Sequence, residues 1–211
     1  MKLGPDYEFQ CPQCHQKVLQ VNVQSSNTIG AVHYSDGTCR GPMTWQTTPL
    51  TRCPGCSYIF WLFEENRTGN SYEIGSNETI PRADEPSFND LYEAIEKGVA
   101  QTEATLCYLR ERAWQEGNRY NIAEKEFPSE RLKQKWIDNA IHLLKLLPEK
   151  SAEEKIIKAE VYRNIGEFDK CRRFLKSIHD ENLKHPIDLM LKACDDKNTF
   201  RLVLKSSKLF S

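Results

Sequence analysis

Cys53-Pro54-Gly55-Cys56-Ser57-Tyr58-Ile59-Phe60-Trp61-Leu62-Phe63 is the stretch on which the fold turns. A C-x-x-C pair followed by aromatic and branched residues runs into a strand. In a thioredoxin-type redox site the first cysteine opens a helix instead. A second pair, Cys11-Pro12-Gln13-Cys14, lies upstream, and a redox reading leaves it unexplained. Zinc takes a tetrahedral shell that four thiolates fill without an open position. Proline after the first cysteine presets φ for the tight turn, and Gly55 is expected to supply a positive φ there. Cys11, Cys14, Cys53 and Cys56 are therefore the expected ligands of one structural Zn2+.

Around this kernel the residues to about Ile80 are rich in turns and strands. Leu19, Val21 and Val23 alternate with polar neighbours, as a half-buried strand does. Ile29–Tyr34 predicts another strand, ending at Ser35-Asp36-Gly37, and Ser57–Phe63 a third. Glu64–Pro86, with Gly69, Gly75, Pro81 and Pro86, reads as a hairpin end and a linker. From Ser87 the period becomes helical. Phe88, Leu91, Tyr92, Ile95 and Val99 share one face. Leu106, Leu109 and Ala113 share a second, ending near Gly117. A third helix starts at Ser129, carries Trp136, Ala140 and Leu143, and stops at Pro148. Ser151 and Glu154 form a capping box for the fourth, which ends at Gly166. Phe168, Cys171, Leu175 and Ile178 stripe the fifth, and Ile187, Met190, Leu191 and Cys194 the sixth, with Pro186 in its first turn. The expectation is an α+β chain: a small β-rich domain over residues 1–80 and an all-α domain over 81–211.

Bulk properties narrow the function. The 211 residues carry a net charge of −1. Residues 1–80 are net −2, residues 81–128 net −4 and residues 129–211 net +5. Phosphate binding is driven by lysine and arginine, so this balance does not favour nucleic acid. After Met1-Lys2-Leu3 come Gly4, Pro5, Asp6 and Glu8, with no apolar leader segment. The longest apolar run, Tyr58–Phe63, is far short of the ~20 residues that span a bilayer. A cytoplasmic protein with no membrane partner is expected, and there paired C-x-x-C motifs hold metal rather than disulfides.

Other reactive side chains have plainer roles. His15, His33 and Cys39 are bystanders rather than substitute ligands. His33, Asp36, Cys39 and Arg40 are close in sequence, but nucleophilic catalysis needs a base oriented by a third group, and Asp36-Gly37 is more simply a turn. No catalytic residue is assigned. Tyr58, Phe60, Trp61 and Phe63 read as core rather than a base-stacking platform. Cys107, Cys171 and Cys194 sit on helices, where a buried thiol behaves as a small hydrophobe.

The cysteine pairs resemble those of zinc ribbons and rubredoxin-like metal knuckles. Ser151–Ile178 resembles one tetratricopeptide (TPR) repeat: Ala159, Tyr162, Gly166, Phe168, Cys171, Leu175 and Ile178 fall where that repeat places small, aromatic, turn and large apolar residues. Lys158 departs from it and, about 100° around the helix from Ala159, is expected to tolerate alanine. Leu106–Leu147 resembles a degraded earlier copy, interrupted by Asn118–Pro128. The order of a split ribbon followed by TPR-like helices is similar to that of uncharacterised bacterial zinc-ribbon proteins. That resemblance supplies no activity; because stacked helix pairs build a concave surface that grips peptides or helices, a non-enzymatic scaffold or adaptor with an unidentified protein partner is expected. The alternatives are a nucleic-acid-associated ribbon factor and, weaker still, an enzyme using the Gly30–Met43 loop.

Overall fold

The computed structural model describes residues 1–44, 48–70, 79–122, 125 and 127–206. The chain is α+β, with small sheets in the N-terminal part and, among the described residues, six α-helices after them. Two compact units emerge, and neither is continuous. The first comprises Met1–Ile29 and Gly41–Val99, the second Gly30–Arg40 and Ala100–Ser211. The boundary expected near Ile80 is thus replaced by one that leaves the first helix with the sheets and lends residues 30–40 to the helices.

In the first unit the strands are short. β1 (Lys2–Leu3) pairs with β4 (Val23–Ser25). β2 (Tyr7–Gln10) lies between β3 (Lys17–Gln20) and a later strand of this unit, Arg67–Asn70. The single strand expected over Leu19–Val23 is therefore two, because the chain leaves β3 at Val21. A separate hairpin joins Leu50–Arg52 to Ile59–Trp61. Phe9, Val18, Phe60 and Leu62 pack with Cys11 and Cys53 in one apolar core. Phe60 and Trp61 are buried and Trp61 stacks on Phe63, whereas Tyr58 is exposed. Helix α1 (Phe88–Glu96) starts in the capping box of Ser87 and Asp90. Arg52 reaches it through ion pairs to Asp90 and Glu93, both at 2.5 Å. Part of Glu64–Pro86 lies outside the described residues.

The second unit holds α2 (Glu103–Gly117), α3 (Glu130–Leu146), α4 (Ala152–Asn164), α5 (Phe168–Lys176) and α6 (Lys184–Asp195). Thr102, Ser129 and Ser151 cap the first three of these. α2 packs on α3 and α4 on α5. Trp114, fully buried, lends its carbonyl to Trp136 Nε1 at 3.1 Å. A Cβ on Gly117 would collide with the Trp136 ring, so only glycine lets α2 end there. Gly166, at φ +82°, makes the α4–α5 turn. Ala159, Cys171, Leu175, Ile178 and Met190 form a common core, with Tyr162 and Phe168 packed against it.

Lys158, expected to tolerate alanine, is buried. Its side chain is 8% exposed and its Nζ donates to Leu147 O at 3.2 Å and pairs with Glu149 at 2.5 Å. It closes the C-terminal end of α3, so position 158 is part of a helix contact.

Residues 30–40 form a hairpin, Val32–Tyr34 with Cys39–Arg40, extended by the C-terminal strand Val203–Ser206. The strand expected over Ile29–Tyr34 is confined to its last three residues. Its turn is anchored by polar contacts within the second unit. Asp36, wholly buried, accepts hydrogen bonds from Thr38 N, Thr38 Oγ1 and Asn118 Nδ2, with Arg201 Nη1 at 3.7 Å. Ser35 donates to Glu160 at 2.6 Å, and Glu160 pairs with the equally buried Arg163.

Candidate metal centre

Each C-x-x-C pair sits at the tip of a two-stranded hairpin. β2 delivers Cys11 and β3 leaves after Gln16; Leu50–Arg52 delivers Cys53 and Ile59–Trp61 leaves after Tyr58. The two tips are built alike. Cys11 N–H donates to Gln16 O at 2.9 Å and His15 N–H to Cys11 O at 2.9 Å. Cys53 N–H donates to Tyr58 O at 2.8 Å and Ser57 N–H to Cys53 O at 2.9 Å. His15 and Ser57, each following the second cysteine of its pair, share φ 62°.

The positive φ therefore belongs to His15 and Ser57, not to Gly55 as expected. Gly55 serves closeness instead: a Cβ there would run into Gln16 Oε1 and stand 3.8 Å from Cys14 Sγ. The signal that would have found the turn residues is the repeated hairpin frame, with the residue after each second cysteine at the same place.

The four sulfurs gather, all within 4.8 Å of one another. Cys11 Sγ lies 3.7 Å from Cys56 Sγ, and Cys14 Sγ 3.5 Å from Cys53 Sγ. Both close approaches join one hairpin tip to the other. They are too long for disulfides, whose sulfurs are about 2.05 Å apart. A tetrahedral ion with bonds of about 2.3 Å to sulfur would set its ligands about 3.8 Å apart, so the donor set fits one metal ion. Cys11 and Cys53 are buried, Cys56 is half-buried and Cys14 exposed.

The electrostatics of the tips follow the same symmetry. Backbone N–H groups of Cys14 and Gln13 point at Cys11, and those of Cys56 and Gly55 at Cys53. Burial nevertheless pushes the Cys11 thiol up to about 12. Burial also works against the Cys53 thiolate, but the two N–H groups and the neighbouring sulfurs bring it down to about 7. Four crowded sulfurs cannot all ionise without a compensating cation, and metal binding displaces their protons.

The remaining candidates stay apart from this cluster. Among the described residues, the four cysteines alone form a group with metal-ligand spacing. His33 Nε2 lies 3.8 Å from Cys39 Sγ across the 30–40 hairpin, while the Asp36 carboxylate is taken up by Thr38 and Asn118. Cys171 and Cys194 place their sulfurs 3.3 Å apart in the core of α4, α5 and α6. The hydrogen bond from Cys194 and burial push the Cys171 thiol up, so it stays protonated. Among the described residues, no helix is long and apolar enough to cross a membrane. No protein-family model matches the chain, and neither does any curated protein or solved structure.

Proposed function

We propose that the protein is a zinc-stabilised scaffold or adaptor, in which Cys11, Cys14, Cys53 and Cys56 hold one structural Zn2+ and the helical unit binds a protein partner. The observation that carries it is the closed set of four sulfurs. A tetrahedral ion they hold has no position left for water or substrate, which marks a structural rather than a catalytic site. Iron also accepts four thiolates in this geometry, and elemental analysis separates the two metals. The ion supplies folding free energy, roughly 10 kcal/mol or more for sites of this type. The first unit, with strands of two to four residues, has need of it.

The adaptor half of the reading rests on the helices. α2 packs on α3 and α4 on α5, which supports reading them as successive TPR-like pairs, and stacked pairs build grooves that grip peptides or helices. Tagged full-length protein retrieved from its native host, with mass spectrometry of what co-purifies, tests it. A reproducible protein partner, kept after nuclease treatment, is the expected result. Recovery of nucleic acid alone, or of no partner at all, would contradict it.

A further inference from the structure

Within the second unit, α2, the end of α3 and the start of α4 enclose a groove of about 600 Å³. Tyr108, Leu146, Leu147 and Ile157 give it an apolar floor. Its charged lining is of one sign: Glu103, Glu111, Glu153 and Glu154, with no lysine or arginine. These glutamates are not equivalent. Glu154 is occupied, accepting from the backbone N–H of Lys150 and Ser151, and Glu103 opens α2, where the helix dipole favours a negative charge. Glu153 is exposed. Glu111 is half-buried, with the Arg112 charge as its electrostatic neighbour. Of the neighbouring arginines, Arg110 donates to Asn139 and Arg112 to Gln115, with Glu116 at 3.8 Å from Arg112.

Burial pushes the Glu111 carboxyl above its usual range, and the Arg112 charge opposes it. For an acid this means a cost to the fold, growing as pH rises from the ordinary carboxylate range through the raised value and complete above it. A half-buried charge that weakens its own fold is relieved by a cation that arrives with apolar surface.

We infer that this groove docks a peptide segment of a partner protein bearing a lysine or arginine beside a large apolar side chain. The apolar group lies on Leu146, Leu147 and Ile157, and the cation meets Glu111 and Glu153. The inference rests on the adaptor reading and gives its partner a chemistry.

The test pans immobilised full-length protein against a displayed library of random short peptides, then measures the enriched peptides by fluorescence anisotropy. Enriched sequences are expected to place a basic residue within a few positions of a large apolar one. Glu111→Gln should weaken them about tenfold or more, Glu153→Gln less, and Glu167→Gln, outside the groove, not at all. Glu111→Gln should also melt no lower than the parent, so a binding loss is not unfolding. Enrichment without basic residues, unchanged affinity in Glu111→Gln, no enrichment, or self-association that occludes the groove would each overturn the inference. The two readings separate in the native host: a partner retained by Glu111→Gln keeps the adaptor role and sinks the groove, whereas absence of any partner sinks the adaptor role itself.

Discussion

At the residue scale, the metal centre depends on two backbone conformations as much as on four sulfurs. His15 and Ser57 hold φ 62° with side chains that disfavour it. A left-handed residue other than glycine costs roughly 1–2 kcal/mol, and glycine returns about 0.4–1 kcal/mol of this through its looser unfolded chain. His15→Gly and Ser57→Gly are therefore expected to be neutral or to stabilise the metal-loaded protein by up to ~1 kcal/mol, read as denaturant midpoints. Ser57→Val, β-branched, should destabilise it. A clear loss on either glycine change would mean that those side chains make a contribution the backbone argument omits. The cysteine spacing announced the sulfurs because a C-x-x-C turn is local. It did not announce the turn residues, because composition pointed to Gly55, whose role is steric room for Gln16.

At the scale of elements, α4 and α5 carry the sharpest contrast. Ala159 is fully buried in their shared core, so Ala159→Leu should overpack it at a cost of roughly 1–3 kcal/mol. Lys158→Ala removes the hydrogen bond to Leu147 O and the half-exposed pair with Glu149, a loss of about 1 kcal/mol. Lys158→Met, which keeps the stem but not the charge, should lose nearly as much. Chemical denaturation of the three variants checks this; an unchanged midpoint for Lys158→Ala would show that the contact with the end of α3 is idle. The helices were legible because caps and apolar stripes repeat within a few residues: Ser87, Ser129 and Ser151 start them where expected. The burial of Lys158 was not, since what it touches belongs to the preceding turn. Most strands were not legible either. Lys2–Leu3, Leu50–Arg52, Arg67–Asn70 and Val203–Ser206 are too short to show alternation, and Arg67–Asn70 and Val203–Ser206 find partners far away in sequence.

At the scale of the whole molecule, the chain crosses between its two units more than once. Residues 30–40 leave the sheets to join the helices, and what holds them there is a buried polar network of Ser35, Asp36, Asn118, Glu160 and Arg163. Ser35-Asp36-Gly37 was legible as a turn, but its partners lie far along the chain, beyond the reach of any local pattern. The division also says what loss of metal should do. With α1 in the first unit, removing the ion is expected to unfold the sheets and α1 while α2 to α6, with their own core, keep most of the helical circular dichroism. Elemental analysis of protein purified without added metal, alongside Cys53→Ser, tests the central claim most directly. One zinc per chain is expected, lost in Cys53→Ser together with the fold of the first unit. A metal-free or iron-loaded parent with that unit intact would contradict it.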